Sequence, residues 1–357
     1  MIQRLDGLAG YCVRLEACVE KSMKAALLIS PEKILIKDVE APHAATDEVI
    51  IQPEHAGICG TDVSFFLGHR VVPYPFVLGH EVSGRIVETG TAVAKLHIGQ
   101  RVIVEPNYPC GSCPLCQKGR GAVCSNKNSM GVNVPGCFAE RVSAPAEFVW
   151  PMPEDISDAD AVTIEPLTVS LHALLQSGAQ AGDTVAVLGC GVVGLLLIHA
   201  AAAAGVRVIA HDRFAEKLEM ARKLGAMVIL EGEDAAQVWQ KEDVTTVFEC
   251  AGATPTVELA LETAPRGAQV ILLGLSSSPA RFIPMRIVRE GINIRTSMIY
   301  DHPADFAHAI DLVAKGKLHP ACVVTHTYSF ESIEQALKHA GTGEAGKIHI
   351  KMANANS

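Results

Sequence analysis

Hydrophobic and polar positions alternate in blocks from Asp183 onward. The string DTVAVLGCGVVGLLLIHAAAAAGVRVIAHDR begins with a short apolar run and a glycine turn. A long apolar, alanine-rich stretch follows, stopped by Gly205, and then a second short apolar run. Short unbroken runs of this kind read as strands buried on both faces, and the longer one reads as a helix. The pattern predicts strands at 184–188 and 206–210 with a helix between them. It continues with strands at 227–230, 244–250, 269–274 and 292–299, separated by helical segments such as FAEKLEMARKLG and TPTVELALETA. Six strands joined by crossover helices predict an α/β fold with a doubly wound parallel sheet.

The first turn of this unit carries chemistry. Gly189, Gly191 and Gly194 are spaced G-x-G-x-x-G between strand and helix, with Val192 and Val193 opening the helix. Gly189 permits the tight turn, Gly191 lets backbone approach a pyrophosphate, and Gly194 allows helix and strand to pack closely. The helix N-terminus then presents partial positive charge to the phosphates. Asp212 stands 18 residues beyond Gly194, at the end of the second strand. Its carboxylate suits the ribose hydroxyls of NAD and would repel the 2′-phosphate of NADP, with Arg213 beside it as the one residue that softens the preference. Cys190 and Cys250 read as small buried residues.

In the first half the stretch CGSCPLCQKGRGAVC places Cys110, Cys113, Cys116 and Cys124 in the spacing C-x2-C-x2-C-x7-C. Disulfides between residues three apart are sterically awkward. Four thiolates suit a tetrahedral zinc ion, and an iron–sulfur cluster is the alternative. Four thiolates leave no open coordination position, so such a zinc would hold a loop in place. A second constellation lies in HAGICGTDVSFF and YPFVLGHEVSGRIVETG, which contribute Cys59, His80 and Glu81. Adjacent residues face opposite sides of a regular strand, so His80 and Glu81 reach one ion only if the chain turns at Gly79. Otherwise Glu165, in TIEPLTVSLH, competes as third ligand. The cysteine loop alone would also fit a zinc-ribbon interaction protein, and the fold alone a zinc-free reductase.

Composition narrows the classes. The 357 residues accommodate about two domains. A net charge of −9 argues against nucleic-acid or anionic-membrane partners, leaving a small-molecule substrate. No apolar run reaches membrane-spanning length, and the charges scattered through the first residues do not read as a signal peptide. Eleven cysteines in a chain this long point to a reducing, cytoplasmic setting.

Together GICGTD, GHEVSGRIVETG, the four-cysteine loop, IEPLTVSLHA, VLGCGVVG and THTYSFESIEQAL resemble the zinc-dependent medium-chain alcohol dehydrogenases, in the sorbitol and threonine dehydrogenase branch. The resemblance runs from Met23 nearly to the end and leaves 1–22 as an N-terminal extension. It implies a GroES-like, mainly β catalytic domain over 23–172 and 311–357 and a Rossmann NAD-binding domain over 173–310. One catalytic and one structural zinc, NAD, and a homotetramer or homodimer are implied as well. So is transfer of a hydride between NAD and a secondary alcohol, with threonine-type amino-alcohol oxidation as the runner-up. Thr61 matches the family's proton-passing hydroxyl, and Glu-Pro at Glu165 resembles the sorbitol branch. The chain departs from the sorbitol pattern at Ser64, where a relay histidine is usual, at Phe65 and Phe66, and at Ile299 before Tyr300. Those changes remove hydrogen-bond partners for a plain sugar chain and widen the substrate class to diols and sugar acids. His69 and Arg70, in the loop before His80, could meet an anionic group, but read rather as a solvated surface pair.

Overall fold

The computed structural model describes residues 22–229 and 233–352. The extension expected over 1–22 therefore lies, apart from Ser22, outside the described residues, as does Leu230 of the expected third strand. The chain forms two compact units: Pro166–Val323, and the parts before and after it. The boundary at Pro166 falls within the helix Asp158–Ser177.

In the Pro166–Val323 unit six parallel strands lie in the order Met227–Val228, Arg207–His211, Thr184–Leu188, Val244–Glu249, Gln269–Leu272, Asn293–Thr296. The chain steps outward twice from Thr184–Leu188 and then restarts on its other side, which is the doubly wound order with its switch point beside that strand. Every residue of Thr184–Leu188 is buried, as an unbroken apolar run requires. Strand limits differ from expectation for local reasons. Val206 donates its N–H to the Ala201 carbonyl at 2.9 Å, closing the helix Val192–Ala203, so the second strand starts one residue later. Leu273 and Gly274 both donate to the Glu249 carbonyl and leave the ladder. The outer strand Asn293–Thr296 is exposed at all four positions.

The other unit is mainly β. Its larger sheet runs Val149–Pro151, Arg101–Val104, Glu81–Thr89, Glu48–Ile58, Lys347–Lys351, Val324–Ser329. The Glu48–Ile58 strand is paired on both sides, antiparallel to Glu81–Thr89 with Gly57 opposite Glu81, and antiparallel to Lys347–Lys351 with Ile58 opposite Ile348. Pro53 has no N–H to give, and the register slips beside it, between Pro53 and His55. A three-stranded sheet of Lys33–Glu40, Ser22–Ser30 and Phe76–Val77 completes the scaffold. Leu27, Leu28, Val77, Leu78, Phe138 and Ile350 belong to one aliphatic core.

Candidate metal and nucleotide sites

The four cysteines of the 110–124 stretch converge. Their sulfurs are separated by 4.0 Å (Cys110–Cys116), 3.5 Å (Cys113–Cys116), 3.8 Å (Cys113–Cys124) and 3.5 Å (Cys124–Cys110). A tetrahedron around zinc with bonds of about 2.3 Å has edges of ~3.8 Å, so the set fits one ion. All four are free thiols, and a disulfide would need ~2.0 Å. An iron–sulfur cluster spreads its thiolates over several metal atoms, whereas these meet at one point. Backbone N–H groups support the charge: Cys113 N donates to Cys110 Sγ, Cys116 N to Cys113 Sγ and Asn126 N to Cys124 Sγ, at 3.4, 3.5 and 3.4 Å. The N–H groups of Ser112 and Cys113 bring the Cys110 thiol down to about 6, favouring the thiolate a metal needs.

The second constellation is assembled from distant segments. Cys59 is the N-cap of the helix Gly60–Phe66, and its N–H is accepted by Asp62 Oδ2 at 2.9 Å. The other oxygen of this fully buried carboxylate accepts from Gly79 N at 3.0 Å and faces His80 Nδ1 at 3.5 Å. One side chain thus ties the cysteine segment to the histidine segment and orients the imidazole. Gly79 has φ +95°, and a side chain there would meet the Phe138 ring and the Cys137 sulfur. The turn puts His80 just ahead of the Glu81–Thr89 strand and lets both residues face one point. Ligand atoms of Cys59, His80 and Glu81 lie within 4.8 Å of one another, and Glu165, 7% exposed, stands outside that set. Burial works against a charged His80, but the Asp62 carboxylate and the Cys59 sulfur outweigh it and hold the imidazole well above its usual pKa. A cation at this spot would take the place of that proton.

Glu81 has a second partner. It forms a buried ion pair with Lys347, whose Nζ also donates to the Ile58 carbonyl at 3.0 Å. Room for the pair comes from Gly57, where a Cβ would collide with Glu81 Oε2 and crowd the lysine stem. Thr61, half-buried, lies in the first turn of the helix that Cys59 caps.

At the nucleotide turn the three glycines differ in what surrounds them. Gly189 has φ +94°, and a Cβ there would press on Ala251 at 2.8 Å. A Cβ on Gly194 would collide with the Gly189 carbonyl, so this glycine is needed for packing. Gly191 has nothing within 4 Å of its Cβ position, leaving the space a pyrophosphate would occupy. It is also the N-cap of Val192–Ala203, so Val192 and Val193 supply the first helical N–H groups. Asp212 ends up beside the turn, accepting from Cys190 N at 2.7 Å and Phe214 N at 2.9 Å. Arg213 points away onto Phe214, its guanidinium 4.6 Å from the ring centroid.

The sequence reading missed Asp62, Gly57 and Lys347. Asp62 had a signal, an acid at the third helical position after Cys59, which is where a capping box places one. Lys347 had none, because it lies 289 residues from Ile58. A third group of close donors, His172, Asp301 and Asp305, is satisfied internally: His172 meets Asp305 Oδ2 at 2.6 Å and Gln176 at 2.8 Å.

Comparison with known proteins shows which family the chain belongs to. Residues 45–154 match the family described as alcohol dehydrogenase GroES-like domain, and residues 192–315 match zinc-binding dehydrogenase. Sorbitol dehydrogenase of Bacillus subtilis (strain 168) is 32% identical over 335 residues, covering 90% of this chain and 94% of that protein. An L-threonine 3-dehydrogenase of Rhizobium johnstonii is 32% identical over 340 residues, covering 91% and 97%. Among solved structures, an alcohol dehydrogenase (RspB) of Escherichia coli CFT073 complexed with NADH has a TM-score of 0.87 at 30% identity, covering 93% of this chain and 99% of that one. The chain belongs to the zinc-dependent medium-chain alcohol dehydrogenase family, with a GroES-like unit and a Rossmann unit.

Proposed function

We propose that this protein oxidises a secondary alcohol with NAD, or reduces the matching ketone, and that its substrate is a polyol, a diol or a sugar-derived alcohol. The observation that carries the reading is the coexistence of two sets of metal-type ligands. One is a closed set of four thiolates. The other joins Cys59, His80 and Glu81, with Glu81 already balanced by Lys347. When bound there, zinc acidifies an alcohol oxygen, and the nicotinamide ring of NAD accepts the hydride. Cys59 and His80 hold the metal, and Asp62 fixes the imidazole. Glu81, paired with Lys347, would be the third ligand, with Glu165 as the alternative, and the fourth position would be left to the substrate. The Thr61 hydroxyl takes the alcohol proton and passes it to Ser64 or solvent, since no histidine stands at position 64. Gly189, Gly191 and Gly194 with the N–H groups of Val192 and Val193 cradle the pyrophosphate. Asp212 accepts the ribose hydroxyls, with Arg213 turned aside.

The test combines metal analysis with a substrate panel. Polyols, diols, sugar acids and L-threonine are offered with NAD, and zinc is counted per chain. NAD-linked turnover of a non-amino secondary alcohol by protein holding both zincs is the expected outcome. Turnover of L-threonine alone would move the assignment to amino-alcohol oxidation, the activity named for the Rhizobium relative. A second copy of this chain is the proposed partner. The exposed outer strand Asn293–Thr296 lies among the exposed side chains of Met285, Val288, Ile294 and Met298, a surface suited to pairing edge to edge. Ile294→Lys is expected to shift the mass by light scattering toward the monomer. An unchanged mass would remove this surface from the assembly.

A further inference from the structure

A cavity of about 380 Å³ opens in the GroES-like unit, lined by Phe65, Arg70, Val72, Pro73, Val132 and Asn133. Its two walls are anchored to the two metal-binding segments. Phe65 lies on the helix that Cys59 caps, six residues on, which at 1.5 Å per residue is roughly 9 Å along the axis, comparable to an extended sugar-length chain. Val132 and Asn133 follow Gly131, which sits so close to Gly79 that a Cβ on it would collide with the Gly79 carbonyl. Gly79 is the residue before His80. The cavity is thus bounded by residues that the chain holds close to both the Cys59 and the His80 segments.

Arg70 supplies the formal charge in this lining. Its backbone is fixed, with the N–H groups of His69 and Arg70 both donating to the Ser64 carbonyl at 2.9 and 3.2 Å. The guanidinium carbon lies over the Phe65 ring, 4.6 Å from its centroid, and no ion pair engages it among the described residues. A guanidinium held on an aromatic face keeps its in-plane N–H fork free, and that fork matches the paired oxygens of a carboxylate or phosphate monoester. Asn133 does not compete, since its side chain is engaged with Ser129 N at 2.6 Å and the Lys127 carbonyl at 2.9 Å. Arg70 is exposed, as a surface residue should be, and it stands over the Phe65 ring.

We infer that this cavity is the far end of the substrate site and that Arg70 selects alcohols carrying an anionic group, a carboxylate or a phosphate monoester, at the end remote from the reacting hydroxyl. The inference rests on the proposed alcohol oxidation. It also accounts for the loss of sugar-reading residues near Phe65 and Phe66: a neutral hydroxyl chain is not what the pocket reads.

The experiment compares D-glucitol, D-gluconate and D-glucitol 6-phosphate with NAD, on the native zinc-loaded protein and on Arg70→Gln and Arg70→Lys. Binding of the same three compounds to the NADH complex is measured by calorimetry. The native protein is expected to favour at least one anionic probe over glucitol by about tenfold or more in kcat/KM. Arg70→Gln is expected to bring that ratio near one, mainly through KM, and Arg70→Lys to restore part of it. Preference for gluconate identifies the carboxylate source, and preference for the phosphate ester the phosphorylated one. Turnover of glucitol with no anionic preference overturns the inference and leaves the alcohol dehydrogenase reading standing. So does a ratio that Arg70→Gln leaves unchanged. Absence of both turnover and binding for every probe overturns the inference alone, since the broader reading stands or falls on the wider panel of diols, polyols and L-threonine.

Discussion

The two metal constellations of the GroES-like unit solve opposite problems. The four thiolates between 110 and 124 lie in one loop, largely near the surface, and draw their support from N–H groups of immediate neighbours. Nothing distant is needed, because a divalent ion offsets two of the four thiolate charges and nearby N–H groups and solvent meet the rest. The Cys59–His80–Glu81 site, proposed to leave a position open, has His80 and Glu81 buried. Its charge is balanced by side chains instead: Asp62 against His80, Lys347 against Glu81. A closed site can be written in one short stretch of sequence, while an open one has to be paired with the rest of the fold.

Exchanging one ligand in each site separates these roles most sharply. Cys59→Ala or His80→Ala is expected to lose one zinc and reduce turnover by roughly a thousandfold or more, with the circular dichroism spectrum and the cysteine-loop zinc retained. Cys113→Ser is the mirror case: the loop zinc leaves, the melting temperature drops, and protein that remains folded still turns over. Retention of both metals in either variant would contradict the division.

Lys347→Met probes the buried pair. Leaving Glu81 charged and alone is expected to cost about 3–5 kcal/mol in denaturant unfolding, and adding Glu81→Gln should return part of it. A loss below 1 kcal/mol would mean that the pair carries little of the charge balance described here. Smaller again is the nucleotide contact. Asp212→Ser is expected to lower kcat/KM with NAD by roughly ten- to a hundredfold, about 1.5–3 kcal/mol, and to narrow the gap to NADP. Native preference for NADP would displace Asp212 from the ribose.

The mildest effect is one of pH. Burial, then the Lys347 charge and His55, push His349 down to about 3. Its Nε2 lies 3.1 Å from the Thr163 hydroxyl, which itself donates to the Ala159 carbonyl at 2.7 Å, so Nε2 carries the hydrogen there, and burial keeps the ring from taking a second proton. Below the ordinary imidazole value of about 6.5 the unfolded chain takes up a proton that the folded one refuses. The stability is therefore complete above that value and drains away as pH falls toward 3, by about 2 kcal/mol at pH 5. His349→Gln should flatten this slope in denaturant titrations at pH 7 and pH 5, and an equally steep slope in the variant would place the titration elsewhere.

These sites were unequally legible. The parallel sheet could be read because each buried strand is a continuous apolar run, and the errors were of one to three residues at strand ends, as where Val206 closes a helix, Gly274 bonds back to Glu249 or the last strand stops at Thr296. The thiolate loop and the glycine turn were visible because their members are sequence neighbours. Asp62 was visible in principle, three positions after Cys59. Lys347 and Gly57 were not, because a buried counter-charge and the gap that admits it belong to strands that meet only after folding.

The position of Lys347 also sets an order of assembly. The Rossmann unit, Pro166–Val323, is one continuous segment and can condense as soon as it leaves the ribosome. The sheet beside Cys59 and His80 is interrupted by that whole segment and receives the Lys347–Lys351 strand only after the segment has been made. Until then Glu81 sits opposite Gly57 with no cation to meet it. Nascent chains halted before Lys347 should accordingly contain a protease-resistant nucleotide unit beside an unfinished, sensitive catalytic one, so that the ability to hold NAD precedes the ability to hold the reactive metal.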